Sequence, residues 1–218
     1  MPDDGTGLAT PHAPACDCAL CPRLAAYRGA NAAEHRDWFN APVPSMGGLD
    51  ARLLVVGMAP GLRGANRTGR PFTGDQSGTL LFEALAKFGF TGTIAGGDDV
   101  TLLDCRITNA VRCVPPQNLP APREIASCNA FLAAELAAMP NLRVVLALGL
   151  LAHAAMLQAS GLPAARLRFR HGATHILPDG LSLVNSYHVS RYNTATKRLT
   201  PTMFDAVVAS VADLVKAL

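Results

Sequence analysis

Lysine is scarce in this chain: only three of the nineteen basic residues are lysine, and the rest are arginine, the better bidentate partner for phosphate. Large net charge is missing too, and a formal +3 permits a nucleic-acid partner without arguing for one. No apolar run approaches the roughly twenty residues that cross a bilayer, the longest lying around Val144 to Leu151. Met1 to Pro14 lacks a basic start and an apolar core, so neither a signal nor a transit peptide is expected there. The expectation is a cytoplasmic protein with reduced cysteines and no membrane contact, a flexible segment over 1–14 leading into one domain over 15–218. No Gly-Lys-Ser/Thr phosphate loop and no carboxylate cluster for magnesium occurs, which argues against nucleotide hydrolysis. Internal repeats are absent as well.

The 218 residues, half of them hydrophobic, suffice for one well-cored domain. Arg52 to Gly57, Thr101 to Ile107, Arg143 to Leu148 and Leu181 to Val184 are short and largely apolar, and predict buried strands. Ser77 to Phe88 repeats apolar residues at helical spacing, and Pro122 to Met139 opens with proline and an acid in its first turn. Leu150 to Ser160 and Thr200 to Leu218 complete the predicted helices. Strands separated by helices predict a mostly parallel sheet covered on both faces. Ligands of such sheets sit beyond the carboxyl ends of the strands, so the loops after each strand carry the functional reading.

After the first strand come Gly57-Met-Ala-Pro-Gly61 and then Leu62 to Asp75, LRGANRTGRPFTGD. Glycines, a proline and Arg63, Arg67 and Arg70 in one stretch suit a backbone brought close to an anionic or planar ligand, although a solvated charged loop has the same composition. The next loop carries Thr108, Asn109, Arg112, Cys113 and Asn118, and the last carries Asn185-Ser-Tyr-His188-Val-Ser190-Arg191. An amide, a histidine and a carboxylate thus converge at one sheet edge. Each has a plainer reading: Asn109 as a turn cap, Asp75 as the N-cap of the helix at Ser77, His188 as a structural histidine. Their convergence favours a site more than any one of them does.

The cysteines form a second constellation. Cys18-Ala-Leu-Cys21 is a C-x-x-C, Cys113 and Cys128 make a more widely spaced pair, and Cys16 and Cys105 are left over. Without a secretory leader, a metal site or a redox pair is expected rather than disulfides. Four thiolates fit either tetrahedral zinc or an iron–sulfur cluster, and spacing does not choose between them. Cys105 reads as a small buried apolar residue on a strand.

These motifs, taken together, resemble the family-five uracil-DNA glycosylases. The resemblance is carried by Gly57-Met-Ala-Pro-Gly61, by NRTGRPFTGD from Asn66 to Asp75 with Ser77-Gly78 behind it, by Thr108 to Pro116, and by Ser186-Tyr-His-Val-Ser190 with Asn193-Thr and Arg198-Leu-Thr200. Their order and spacing match from Cys18 to the C-terminal helix. The resemblance implies a three-layer α/β/α sandwich around a four-stranded parallel sheet, and a 4Fe–4S cluster on Cys18, Cys21, Cys113 and Cys128. It is the resemblance, not the spacing, that prefers iron to zinc.

Such an enzyme must flip a damaged nucleotide out of the stack, recognise the base and stabilise its departure. Phe72 would stack on the flipped base. Asn109 both donates and accepts, so it complements the O4 and N3–H edge of uracil and opposes that of cytosine. His188 would donate to O2 as charge develops there, an interaction typically worth roughly 3 kcal/mol. Main-chain N–H groups around Gly57 and Met58 would hold the same edge. Ala59 cannot accept a proton where many relatives keep a polar residue, and the resemblance implies Asp75 as the group that orients water and offsets charge on the sugar. Arg63, Arg67, Arg70, Arg191, Lys197 and Arg198 are the expected phosphate contacts, and Tyr192 the wedge. One departure from the family pattern is Val189 where proline usually follows the histidine, from which a looser or differently kinked loop is expected. Damaged DNA is the expected partner, hypoxanthine an additional substrate, and a monomer the expected state. The competing readings are a non-catalytic metal-stabilised DNA-binding module and an iron–sulfur electron carrier; neither uses all three loops.

Overall fold

A computed structural model describes residues 12–74, 76–93, 100–163 and 165–217. Helix α1 (Pro22–Glu34) leads into β1 (Leu53–Gly57), a short helix α2 (Ala65–Thr68) and α3 (Gln76–Lys87). Strands β2 (Thr91–Thr93) and β3 (Val100–Leu102) pair antiparallel as a separate ribbon, followed by β4 (Cys105–Asn109) and α4 (Pro122–Ala137). Then come β5 (Val144–Leu148), α5 (Leu150–Ala159), β6 (Thr174–Ile176), β7 (Ser182–Ser186), a short α6 (Arg191–Ala195) and α7 (Pro201–Lys216).

The main sheet has the order β4-β1-β5-β7-β6. Its first four strands are parallel and every residue in them is buried, the mark of strands covered on both faces. Alternate residues of β1 supply the two layers. Leu53 and Val55 join the core beneath α3 and α7, with Ile107, Leu146, Phe204 and Val208. Leu54 and Val56 join the core beneath α4 and α5, with Val145, Leu132 and Met156. The expected sandwich is present, with one addition: β6 pairs antiparallel to β7 at the edge, giving five strands rather than four. Residues Thr174 and Ile176 of this strand are exposed, so it carries little of the apolar pattern that marks the others.

The expected strand from Thr101 to Ile107 divides in two. Asp104 takes φ +50°, and its carboxylate accepts from the Arg52 backbone N–H and from Arg52 Nε, each at 2.7 Å. That turn ends β3 and starts β4 in the neighbouring sheet. Helix α1, which the periodicity does not reveal, starts with Pro22 at its first turn and buries chiefly Leu24, Arg28 and Asn31. Among the described residues no helix is long and apolar enough to cross a membrane. The expected flexible segment over 1–14 lies outside the described residues except for 12–14.

Candidate active site and cysteine cradle

The carboxyl ends of the four parallel strands open into a cleft of about 770 Å³. Gly57 and Asn109 end β1 and β4 side by side in register. The Ala110 and Val111 N–H groups then donate to the Gly57 and Met58 carbonyls at 2.9 Å each, which locks the two loops together. Met58, Ala59, Phe72, Asn109 and His188 all line the cleft, so the structure brings together the amide, the ring and the imidazole that the sequence placed on three separate loops.

Local sterics explain why these residues fit. A Cβ on Gly57 would lie 2.3 Å from Asn109 Oδ1 and 2.6 Å from Phe72 Cζ, so the bare backbone is what lets the amide and the ring pack against the strand end. Phe72 itself holds φ +56°, a conformation that costs a bulky residue about 1–3 kcal/mol and persists only when its surroundings enforce it. Gly78, on the first turn of α3, leaves room for that backbone: a Cβ there would meet the Phe72 carbonyl oxygen at 1.8 Å. Phe72 and His188 face each other with ring centroids 6.2 Å apart and tilted by 31°.

The loop after His188 has contacts of its own where Val189 follows the histidine. Val189 is 1% exposed and belongs to the core beneath α3 and α7. Asn193 Nδ2 donates to the His188 carbonyl at 2.8 Å, and Ser190 Oγ caps α6 by accepting from the Asn193 N–H. Apolar burial and a side-chain amide thus replace the restraint that proline would impose. Asp75 lies outside the described residues; Gln76 and Ser77, which follow it, line the cleft.

The expected phosphate contacts divide into two kinds. Arg63, Arg67, Arg191, Lys197 and Arg198 are exposed, Arg191 lines the cleft beside Tyr192, and Arg198 lies over the Tyr187 ring at 4.7 Å. Tyr192 is 70% exposed at the rim. Arg70 differs: it is half-buried, and its guanidinium reaches the Val100 carbonyl at 3.4 Å, so it braces its loop against β3. Asn118, named with its loop but given no role, also lines the cleft, as do three residues that sequence reasoning passed over, Gly149, Leu150 and Leu151. The last three were missed because β5 runs into α5 with no loop between them. The one signal was Gly149 directly after the apolar run; it has φ +99°, and a Cβ there would touch His188 Cβ at 3.4 Å.

Behind the cleft, Cys18, Cys21, Cys113 and Cys128 line one narrow pocket walled by Leu24, Val111 and Phe131. Cys105 is buried in the core of β4 and Cys16 is exposed, so neither joins them. Burial pushes the Cys21 and Cys113 thiols up and that of Cys128 to about 11. The Arg112 N–H approaches Cys128 Sγ at 3.4 Å, and Arg28 donates to Cys113 Sγ at 2.7 Å. Among the described residues no group of three or more His, Cys, Asp or Glu side chains is placed to hold a metal ion. Ala59 lines the cleft and also packs against the apolar wall of this cradle.

A buried ionic knot braces the same segment. Glu135 on α4 accepts from Arg106 Nε at 2.7 Å and from Arg112 Nη2 at 2.5 Å, and Arg112 also donates to Ser45 Oγ, which bonds Thr108. Burial alone would raise the Glu135 carboxyl, but Arg112, Ser45 and Arg106 outweigh it and hold the group below its ordinary range.

The family model described as the Uracil DNA glycosylase superfamily matches residues 44–212. This chain belongs to that superfamily. Among curated proteins it is 45% identical over 194 residues to the Type-5 uracil-DNA glycosylase of Thermus thermophilus, covering 86% of this chain and 89% of that one. It is 40% identical over 205 residues to the Type-5 uracil-DNA glycosylase of Pyrobaculum aerophilum, covering 90% and 89%. Similarity to the Type-4 uracil-DNA glycosylase of Thermotoga maritima is 39% over 104 residues, 47% of each chain. The resemblance to family five is therefore borne out across most of the chain. The residues matched by the family model contain the whole lining of the cleft but begin after Cys18 and Cys21, which leaves half of the cradle outside them.

Proposed function

We propose that this protein excises uracil from DNA, hydrolysing the N-glycosidic bond of a flipped deoxyuridine in the cleft beyond β1, β4, β5 and β7. The observation that carries the reading is the convergence of Phe72, Asn109 and His188 on that cleft, in a chain of this superfamily. Phe72 offers a face for the base, and Gly57 leaves room for ring and amide together. Asn109 sits 4% exposed at the end of β4, where an amide left unpaired by cytosine would cost about 1–3 kcal/mol. As the C1′–N1 bond breaks, its electron pair passes to the base. His188 donates to O2, where that charge gathers, while the oxygen of a water molecule bonds to C1′ and its released proton neutralises the base. Asp75 is the proposed group that orients the water.

The cysteine cradle suits a 4Fe–4S cluster held by Cys18, Cys21, Cys113 and Cys128. One narrow pocket is lined by all four thiols, the number of thiolates that such a cluster takes. When bound, the cluster would supply structural cross-linking between α1 and the loop after β4. The residues themselves do the rest: Val111 bonds Met58, and Ala59 rests on the cradle wall, so the loop that meets the base is backed by the cysteine site. Arg63, Arg67, Arg191, Lys197 and Arg198 are proposed to meet DNA phosphates, with Tyr192 at the rim as the wedge. Arg70, whose guanidinium also reaches the Val100 carbonyl, is proposed to join them.

The test is excision from labelled duplexes that carry one uracil, hypoxanthine, cytosine or thymine, each followed by alkali to cut abasic sites. Cutting at uracil and at hypoxanthine, and none at cytosine or thymine, is expected. Binding without cutting at any base would instead favour the metal-stabilised DNA-binding module.

A further inference from the structure

Three arginines are buried among the described residues, and two of them, Arg106 and Arg112, share the carboxylate of Glu135. The third, Arg28, has no carboxylate partner among the described residues. It is 6% exposed, and its guanidinium donates to Cys113 Sγ at 2.7 Å and to the Cys18 carbonyl at 2.9 Å. An uncompensated buried charge costs several kcal/mol, so such a group is retained where negative charge faces it. The sulfurs of the cradle are the groups placed to supply that charge.

The sequence places it there by helical spacing. Cys21 is the N-cap of α1, and Leu24 and Arg28 follow three and seven residues later, on one helix face. Leu24 walls the cradle and Arg28 enters it. The guanidinium spans two chain segments far apart in sequence, binding the carbonyl of Cys18 on the N-terminal arm and the sulfur of Cys113 on the loop after β4.

We infer that Arg28 is the counter-charge and clamp of the cysteine cradle, a positioning residue that stabilises a bound anionic cluster and pins the Cys18–Cys21 arm to Cys113. This rests on the cluster reading proposed above. Four thiolates outweigh the positive charge of the core they hold, so the loaded site is anionic, and each added electron makes it more so. A fixed neighbouring cation therefore favours both retention of the cluster and its reduced state. Lysine keeps the charge but lacks the fork that reaches sulfur and carbonyl together.

The test uses the full chain with Arg28→Met and Arg28→Lys, and Arg143→Gln as a charge change at an exposed position elsewhere. Iron and acid-labile sulfide are counted over time under oxidant plus chelator, the reduction potential is measured by spectroelectrochemistry, and circular dichroism reports the fold. Arg28→Met is expected to lose iron about tenfold faster, in line with a lost charge-assisted hydrogen bond, and to reduce at a lower potential. Arg28→Lys is expected to keep a near-native potential yet lose iron faster than wild type, and Arg143→Gln to match wild type throughout. A brown Arg28→Met protein with native potential and native iron loss overturns the inference alone. If Arg28→Met does not fold, native iron retention in Arg28→Lys overturns the clamp. A wild-type protein that carries no iron overturns the cluster reading and this inference together, and its colour separates that failure from the others.

Discussion

The cleft and the cysteine cradle meet at the loops after β1 and β4, yet they are opposite in kind. The cleft is open, and Phe72, Asn109 and His188 line about 770 Å³ of space. The cradle is narrow and walled by Leu24, Val111 and Phe131, with its polar atoms turned toward one another. Ala59 is common to both, and Asn109 and Cys113 are four residues apart on one segment. On the proposed function the difference teaches a division of labour: side chains facing the cleft would decide chemistry, and those facing the cradle whether the loops stay where the chemistry needs them.

That division can be broken most severely on the open side. His188→Ala and Asn109→Ala are each expected to slow uracil excision by about 10²–10³-fold, the usual loss for a preorganised donor, with iron content and melting temperature unchanged. Gly57→Ala is expected to slow excision nearly as far, because its new Cβ would displace the Asn109 amide and the Phe72 ring by direct contact. Single-turnover rates and calorimetry on the same samples check all three. On the closed side, Cys128→Ser is expected to lose iron and melting temperature first and excision in consequence, measured by iron analysis beside the assay.

Glu135→Gln sharpens the contrast through stability alone. It leaves Arg106 and Arg112 buried with a neutral partner, a loss of about 3 kcal/mol by analogy with broken buried pairs. The two arginines hold the folded carboxyl below its unfolded value, so its contribution is complete at neutral pH and disappears as pH falls through the folded value. Wild-type melting temperature should therefore drop on acidification more steeply than that of Glu135→Gln. The smallest expected effect belongs to the rim. Arg191→Gln should weaken DNA binding with kcat unchanged and reduce the slope of log K against log salt by about 0.9.

The sheet core and the cleft were legible in the sequence for a common reason. Parallel strands buried on both faces write continuous apolar runs, and residues directly after them fall at one edge by topology; Asn109 and His188 were found that way. Elements without that signature were hidden. β6 exposes two of its three residues, and α1 buries only one face against the cradle, one of its buried residues being the charged Arg28. Gly149 was missed because no loop separates β5 from α5. Composition shows Arg70 as a cation without showing which way it turns, and here its guanidinium reaches Val100. Val189 was read by what it lacks, the ring of proline, whereas its burial in the core supplies the restraint.

The most direct measurement is single-turnover excision of uracil from a duplex, by wild type and by Asn109→Ala, with duplex affinity determined separately. The account predicts rapid excision by wild type and a loss of about a hundredfold or more in the variant, with affinity for undamaged duplex unchanged. Equal rates in the two proteins, or a wild type that binds the duplex and leaves uracil in place, would contradict it.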